Sequence, residues 1–204
     1  MTPATVQPKL TVRDLATDQG VAELAKQLSA NLTPDQINQV KRAIAASLSK
    51  HPQLASIPVV GQKGLNNAFY NFAQNRVTTG LMNPDVLGHE LGHAVNTQKS
   101  DAYQKLLLAT RGISFLEQHA AIPVMLGLQA FVGAEKRKDI LRTLAAASSA
   151  NAAPQLNEEL SASIEALLNS PDKLQAAKTL IPAFGSHALQ KLWPTIAYTV
   201  AQRF

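Results

Sequence analysis

The sequence predicts a mainly α-helical chain with one small β-sheet, an α+β fold. Three observations carry that expectation. Strand signals are confined to one segment, residues 57–82; capped helix starts stand on either side of it; and everything beyond Asp101 reads as helix. With 204 residues the chain is long enough for one ordinary domain plus a short appendage. We expect residues 1–32 to form a loosely ordered N-terminal extension and residues 33–204 to form the domain.

The opening segment is rich in Thr, Gln, Ala and Asp and contains Pro3 and Pro8, which argues for loose order. At "TPDQINQVKRAIAASLSKH" a helix starts clearly: Thr33 can cap it, Pro34 suits its first position, and Gln36 completes a capping box. Ile37, Val40, Ile44 and Leu48 share one face, and His51-Pro52 ends the helix. In "IPVVGQKGLNNAFYNFAQNRVTTGLM" the aromatic and β-branched content predicts two short strands with a turn near Asn75. Asn83 then caps a helix with Pro84 in its first turn and Asp85 favourable to its dipole.

Ser100 and Asp101 start a further helix, expected to end near Gly112. The apolar segment 113–134 follows as a buried helix bent near Pro123, and "EKRKD" reads as a solvated connection. "ILRTLAAASSANAA" is a weak helix that Pro154 separates from "LNEELSASIEALLN". "SPDKLQAAKTLI" and "HALQKLWPTIAYTVAQRF" give the last two helices.

Nineteen basic residues against fourteen acidic ones leave a net charge of +5, but the charges are scattered, so no nucleic-acid partner is expected. Cysteine is absent, which excludes disulfides and thiolate metal sites. The first thirty residues lack the basic-then-apolar layout of a signal peptide, so the expected location is cytoplasmic or membrane-associated. Glu117, Gln118, His119 and Gln129 interrupt segment 113–134, which leaves it short of the ~20 apolar residues of a spanning helix. It stays a candidate for peripheral membrane contact.

The chemistry concentrates in "VLGHELGHAVN", residues 86–96. His89 and His93 are one helical turn apart on one face and can aim their imidazoles at a common point, which suits a single tetrahedral zinc ion. Glu90 lies about 100° round the helix, placed to take a proton from zinc-activated water. Small residues at 88 and 92 allow a neighbouring element to approach.

A third ligand has to be acidic, because "AVNTQKSD" after His93 holds no further histidine. If Leu156, Leu160, Ile164 and Leu167 define the inward stripe of their helix, Glu159 lies on its flank, while Glu158 and Glu165 face outward with Asn157, Ser161 and Asn169. A carboxylate placed inward needs a metal or a partner. Glu159 is therefore the first candidate, and Glu117 is the alternative. Tyr198, His187 and His119, in that order, are candidate donors to an oxyanion. Tyr198, among Ile196, Ala197 and Val200, also fits a core role.

"NNAFYNFAQNRVTTGLMNPDVLGHELGHAVN" resembles the active-site segment of HtpX-type membrane-associated zinc peptidases. "NEELSASIEALL" resembles their later ligand-bearing helix, and "LWPTIAYTVA" is similar to the C-terminal segment of the bacterial putative neutral zinc metallopeptidases. The resemblance implies a zincin-like fold of the gluzincin type, with an edge strand beside the H-E-x-x-H helix. It also implies His89, His93 and Glu159 as ligands of one zinc and Glu90 as general base. The implied activity is that of a zinc metalloendopeptidase acting on protein or peptide substrates; the alternative is a non-catalytic interaction protein on the same fold. One departure stands out: relatives place an aspartate four residues after the ligand glutamate, where this chain has Ser163.

Overall fold

A computed structural model describes residues 10–98 and 100–202. Its elements are β1 (Leu10–Thr11), α1 (Asp18–Leu28), α2 (Pro34–Lys50), β2 (Pro58–Gly61), β3 (Ala68–Asn71), β4 (Arg76–Thr79), α3 (Pro84–Thr97), α4 (Asp101–Phe131), α5 (Ala134–Asn169) and α6 (Lys173–Ala201). The fold is mainly helical with one small mixed sheet, as the sequence predicts. The described residues fall into two compact units, 10–98 with 161–181 and 100–160 with 182–202, and both α5 and α6 contribute to each.

In the first unit the strand order is β1-β2-β4-β3. β4 pairs parallel with β2 and antiparallel with β3, and β3 thereby becomes an edge. The β3–β4 turn passes through Asn75 at φ 45°, a conformation that asparagine tolerates better than most residues. The predicted hairpin is therefore present, while β2 and β1 add two strands beyond the two expected. The capping box of α2 forms as read: Gln36 N–H donates to Thr33 Oγ1 at 3.3 Å and Thr33 N–H to Gln36 Oε1 at 2.9 Å.

The loose extension expected for residues 1–32 is overturned from Leu10 onward; the part before it lies outside the described residues. Val12, Leu15, Val21 and Leu24 are fully or almost fully buried in the first unit's core, together with Ile44, Val77 and Leu87. Val21, Leu24, Ala25 and Leu28 recur at helical spacing and bury one face of α1. Thr17 caps that helix by accepting from Gly20 N–H at 3.1 Å. The segment's polar composition hid this stripe.

In the second unit, four expected breaks are absent: α4 runs through Gly112, α5 takes in "EKRKD" and runs through Pro154, and α6 is continuous between Ile181 and His187, through Pro182. Pro123 and Pro194 also lie inside helices. An interior proline costs about 3 kcal/mol through one lost hydrogen bond and a ring clash. Helices of this length, packed on one another, offset that cost. Their contact is unusually polar: Asn151 Nδ2 donates to Ser114 Oγ at 2.8 Å and to Glu117 Oε2 at 3.2 Å, Gln155 Nε2 to Ser114 Oγ at 2.6 Å, and Ser148 Oγ to Glu117 Oε1 at 3.1 Å.

Large apolar side chains meanwhile point outward, with Phe115, Leu116 and Phe131 63, 66 and 89 % exposed. Segment 113–134 is thus not the buried helix the sequence suggested. Among the described residues, no helix is long and apolar enough to cross a membrane.

Because α1 belongs to the core, Leu24→Ala should cost about 2–5 kcal/mol in urea unfolding. A change under about 0.5 kcal/mol would restore the extension reading.

Candidate metal centre

α3 carries the histidine pair, and its start is fixed by side-chain chemistry. Asn83 Oδ1 accepts from the N–H groups of Asp85 and Val86 at 2.8 and 3.3 Å. Against α3 runs the C-terminal part of α5, antiparallel, in a register that successive contacts define. Ser161 Oγ donates to Asn96 Oδ1 at 3.0 Å, Ala162 lies against Gly92, Ser163 Oγ sits 3.3 Å from His89 Nδ1, Ala166 lies against Gly88, and Ser170 Oγ donates to Asp85 Oδ1 at 2.8 Å. Burial pushes the Asp85 carboxyl above its ordinary pKa, and the Ser170 hydroxyl opposes that rise.

The approach is close enough to dictate residue types. A methyl group added at Gly92 would stand 2.7 Å from Ala162 Cα and 2.8 Å from its carbonyl oxygen, whereas one at Gly88 would meet Ala166 at an ordinary 3.5 Å. Only small side chains fit along this seam of α5. That corrects the inward stripe read from the sequence: Ala162 and Ala166 are buried, and Leu160 and Ile164 are 45 and 46 % exposed.

Two residues assigned outward are in fact inside. Asn169 is buried, and Glu158 is wholly buried, with Arg111 Nη2 donating to its Oε2 at 3.0 Å. Glu165 is half-buried beside His51, 3.5 Å away.

His89 Nε2 and His93 Nε2 face one another at 3.0 Å, with their ring planes 83° apart. Two imidazole nitrogens each about 2.1 Å from a tetrahedral ion stand roughly 3.4 Å apart, so the pair is close to a ligand bite. Glu159, two residues before the seam begins at Ser161, completes the set: one ligand atom from each of His89, His93 and Glu159 lies within 4.8 Å of the others. His93 and Glu159 are buried, and His89 is half-buried. Two imidazoles and a carboxylate are a donor set that fits zinc with a fourth position left open.

Further groups contact these side chains. The His89 Nδ1–H can donate to Ser163, which leaves Nε2 for a metal. His187, read from the sequence as an oxyanion donor, instead places its Nδ1 3.1 Å from Glu159 Oε2. Phe72 presents its edge to His93 at a centroid distance of 6.4 Å. Near Glu158 and Glu159, Lys191 has its pKa lowered, first by burial and then by Arg111, although both carboxylates act against that shift. Neither the role of His187 nor the pairing of Glu158 with Arg111 left a signal in the sequence, because each depends on which helices meet.

Glu90, 7 % exposed, accepts a 2.6 Å hydrogen bond from the Tyr70 backbone N–H through Oε2. Tyr70 is on β3, and in this antiparallel pairing Asn67 directs its carbonyl toward β4 while Tyr70 directs its amide away, along the free edge. The strand expected in front of the histidine helix is therefore an edge strand, and Glu90 is bonded to it.

No family model, curated protein or solved structure matches this chain. The site therefore rests on its geometry alone.

The remaining candidates are placed elsewhere. Glu117, the alternative third ligand, belongs to the polar contact of α4 with Ser148 and Asn151. Tyr198 is buried with Ala121, Leu141 and Ala145 in the second unit's core, its pKa raised by that burial and then by Glu117. That is the core role its neighbours suggested, not a donor's. His119 is exposed, its Nδ1 2.7 Å from Phe115 O.

Gly92→Ala should destabilise the fold by about 1–3 kcal/mol through overpacking against the Ala162 backbone. Gly88→Ala should be neutral or stabilising by up to about 1 kcal/mol, from helix propensity. Thermal unfolding of the two variants side by side checks this, and equal effects would contradict the seam.

Proposed function

We propose that this chain is a zinc-dependent metalloendopeptidase with a zincin-like fold, acting on protein or peptide substrates, as its resemblance to HtpX-type zinc peptidases implies. The observation that carries the reading is the convergence of His89, His93 and Glu159 on one point, with Glu90 one residue along α3 and bonded to a sheet edge. Zinc held by those three residues would act as a Lewis acid and lower the pKa of a bound water toward about 7.

The protein's own groups then have distinct tasks. Glu90 accepts the proton of the attacking water and returns it to the leaving amine. Tyr70 N–H fixes one of its oxygens, so the carboxylate is oriented before substrate arrives. Ser163 and His187 hold His89 and Glu159 in position. The edge of β3, apart from the Tyr70 amide that Glu90 takes, offers backbone groups to an extended peptide.

A second reading, a non-catalytic interaction protein on the same framework, draws support from the exposed apolar side chains of α4 and from Ser163 in place of aspartate.

Zinc content and hydrolysis separate the two. The wild type should hold about one zinc per chain, and Glu159→Ala should lose most of it. Glu90→Gln should keep its zinc and lose about 10²–10⁴-fold in peptide hydrolysis. Zinc retained in full by Glu159→Ala would return Glu117 to consideration, and zinc without hydrolysis in the wild type would select the non-catalytic reading. In the same measurement, Ser163→Ala and His187→Ala should each weaken zinc binding, by about 10-fold or more.

A further inference from the structure

The β3–β4 pair has two faces. Tyr70 and Val77, directly opposite one another, belong to the first unit's core. Side chains alternate along a strand, so Phe69, Asn71, Arg76 and Thr78 share the other, outer face, where Phe69 is 41 % exposed. A peptide lying along the edge of β3 would add a strand about 4.8 Å beyond it and about 10 Å from β4. Every second side chain of that peptide falls on the outer face as well.

Arg76 stands on this face as an unpaired cation. It is half-buried, it forms no ion pair among the described residues, and its Nε is buried without an acceptor. The side-chain oxygens beside it are already engaged: Asn71, the residue opposite, accepts from Gln74 N–H at 3.0 Å, and Asn75 accepts from the Tyr70 hydroxyl at 2.6 Å. Two residues along β4, Thr78 is 2 % exposed and its Oγ1 also lacks a partner. A half-buried guanidinium in this position has lost part of its hydration without gaining an acceptor, and a carboxylate would supply two parallel charge-assisted hydrogen bonds.

We propose that Arg76 is a specificity-determining residue that selects extended peptides with an acidic side chain on the outer face of the added strand. The inference rests on the peptidase reading above and names the substrate class of that same site. The peptide residue concerned is the one beside Asn71, whose own side chain is folded back into the turn. Tyr70, next to Asn71, holds Glu90 through its amide, which sets the acidic position close to the bond that Glu90 acts on. Two strand spacings separate that peptide residue from β4, so the longer glutamate is favoured over aspartate.

Zinc-loaded full-length protein is incubated with a mixture of natural peptides, and the cleavage sites are determined by mass spectrometry. Glutamate should be enriched at one position relative to the cut. In a peptide synthesised on that pattern, replacing this glutamate by glutamine should lower kcat/KM about 10-fold, the size of one charge-assisted contact, and chiefly through KM. Arg76→Gln should bring the ratio between the two peptides close to one. Arg76→Glu should invert the preference, so that a peptide with lysine at this position is cut faster than the glutamate peptide.

Cleavage without an acidic preference, or a preference that both Arg76 variants leave in place, would overturn this inference while the peptidase reading stands. No cleavage of any peptide by the zinc-loaded wild type would overturn that reading, and the inference with it.

Discussion

Where α5 crosses α3, the backbone of Ala162 lies so close to Gly92 that no side chain larger than hydrogen fits between them. That contact fixes the rotation of α5 as well as its distance. With Ala162 against Gly92, the residue one position on, Ser163, falls on His89, and the residue three positions back, Glu159, falls on the same face and reaches both histidines. Hydrogen bonds beyond each end, Ser161 to Asn96 and Ser170 to Asp85, hold the register. A carboxylate can be buried here only because basic or metal-binding groups await it. A shift of one residue along α5 would aim Glu158 or Leu160 at the histidines instead.

Adjacent acids on α5 lead separate lives for the same reason. Glu158 and Glu159 differ by about 100° around the helix, enough to send one to Arg111 and the other to the histidine pair and His187. Glu158 is the more deeply buried of the two, yet its charge is answered by a guanidinium. An ion pair with its carboxylate wholly buried and its guanidinium part-exposed contributes little net stability, but removing the guanidinium would strand a buried charge. It acts as a second constraint on the rotation of α5.

Much of the site was legible because it is local. The spacing of His89, Glu90 and His93, the Asn83 and Thr33 caps and the turn at Asn75 depend on residues a few positions apart, and each is found where the sequence places it. Glu159 was also reached, though from a stripe of Leu160 and Ile164 that turns out to face solvent; its neighbour Glu158 was misplaced by the same reasoning. Large apolar residues ordinarily mark the inward face, but a glycine-lined seam admits only alanine and serine, and the leucines are turned out. Pro154 misled in a comparable way, as did the stretch between Ile181 and His187 with Pro182, since a single missing hydrogen bond does not end a helix that packing sustains. Burial of α1 was hidden by polar residues interleaved with its stripe.

The bond between Glu90 and the Tyr70 amide matters even when no reaction takes place. Backbone donors on an unpaired sheet edge invite strands from other molecules, and proteins blunt such edges with charge or cover. Here the carboxylate that would serve catalysis also occupies the edge. Neutralising it would weaken the bond that occupies the Tyr70 amide, so the residue that makes the protein a candidate hydrolase also answers one backbone donor of the β3 edge.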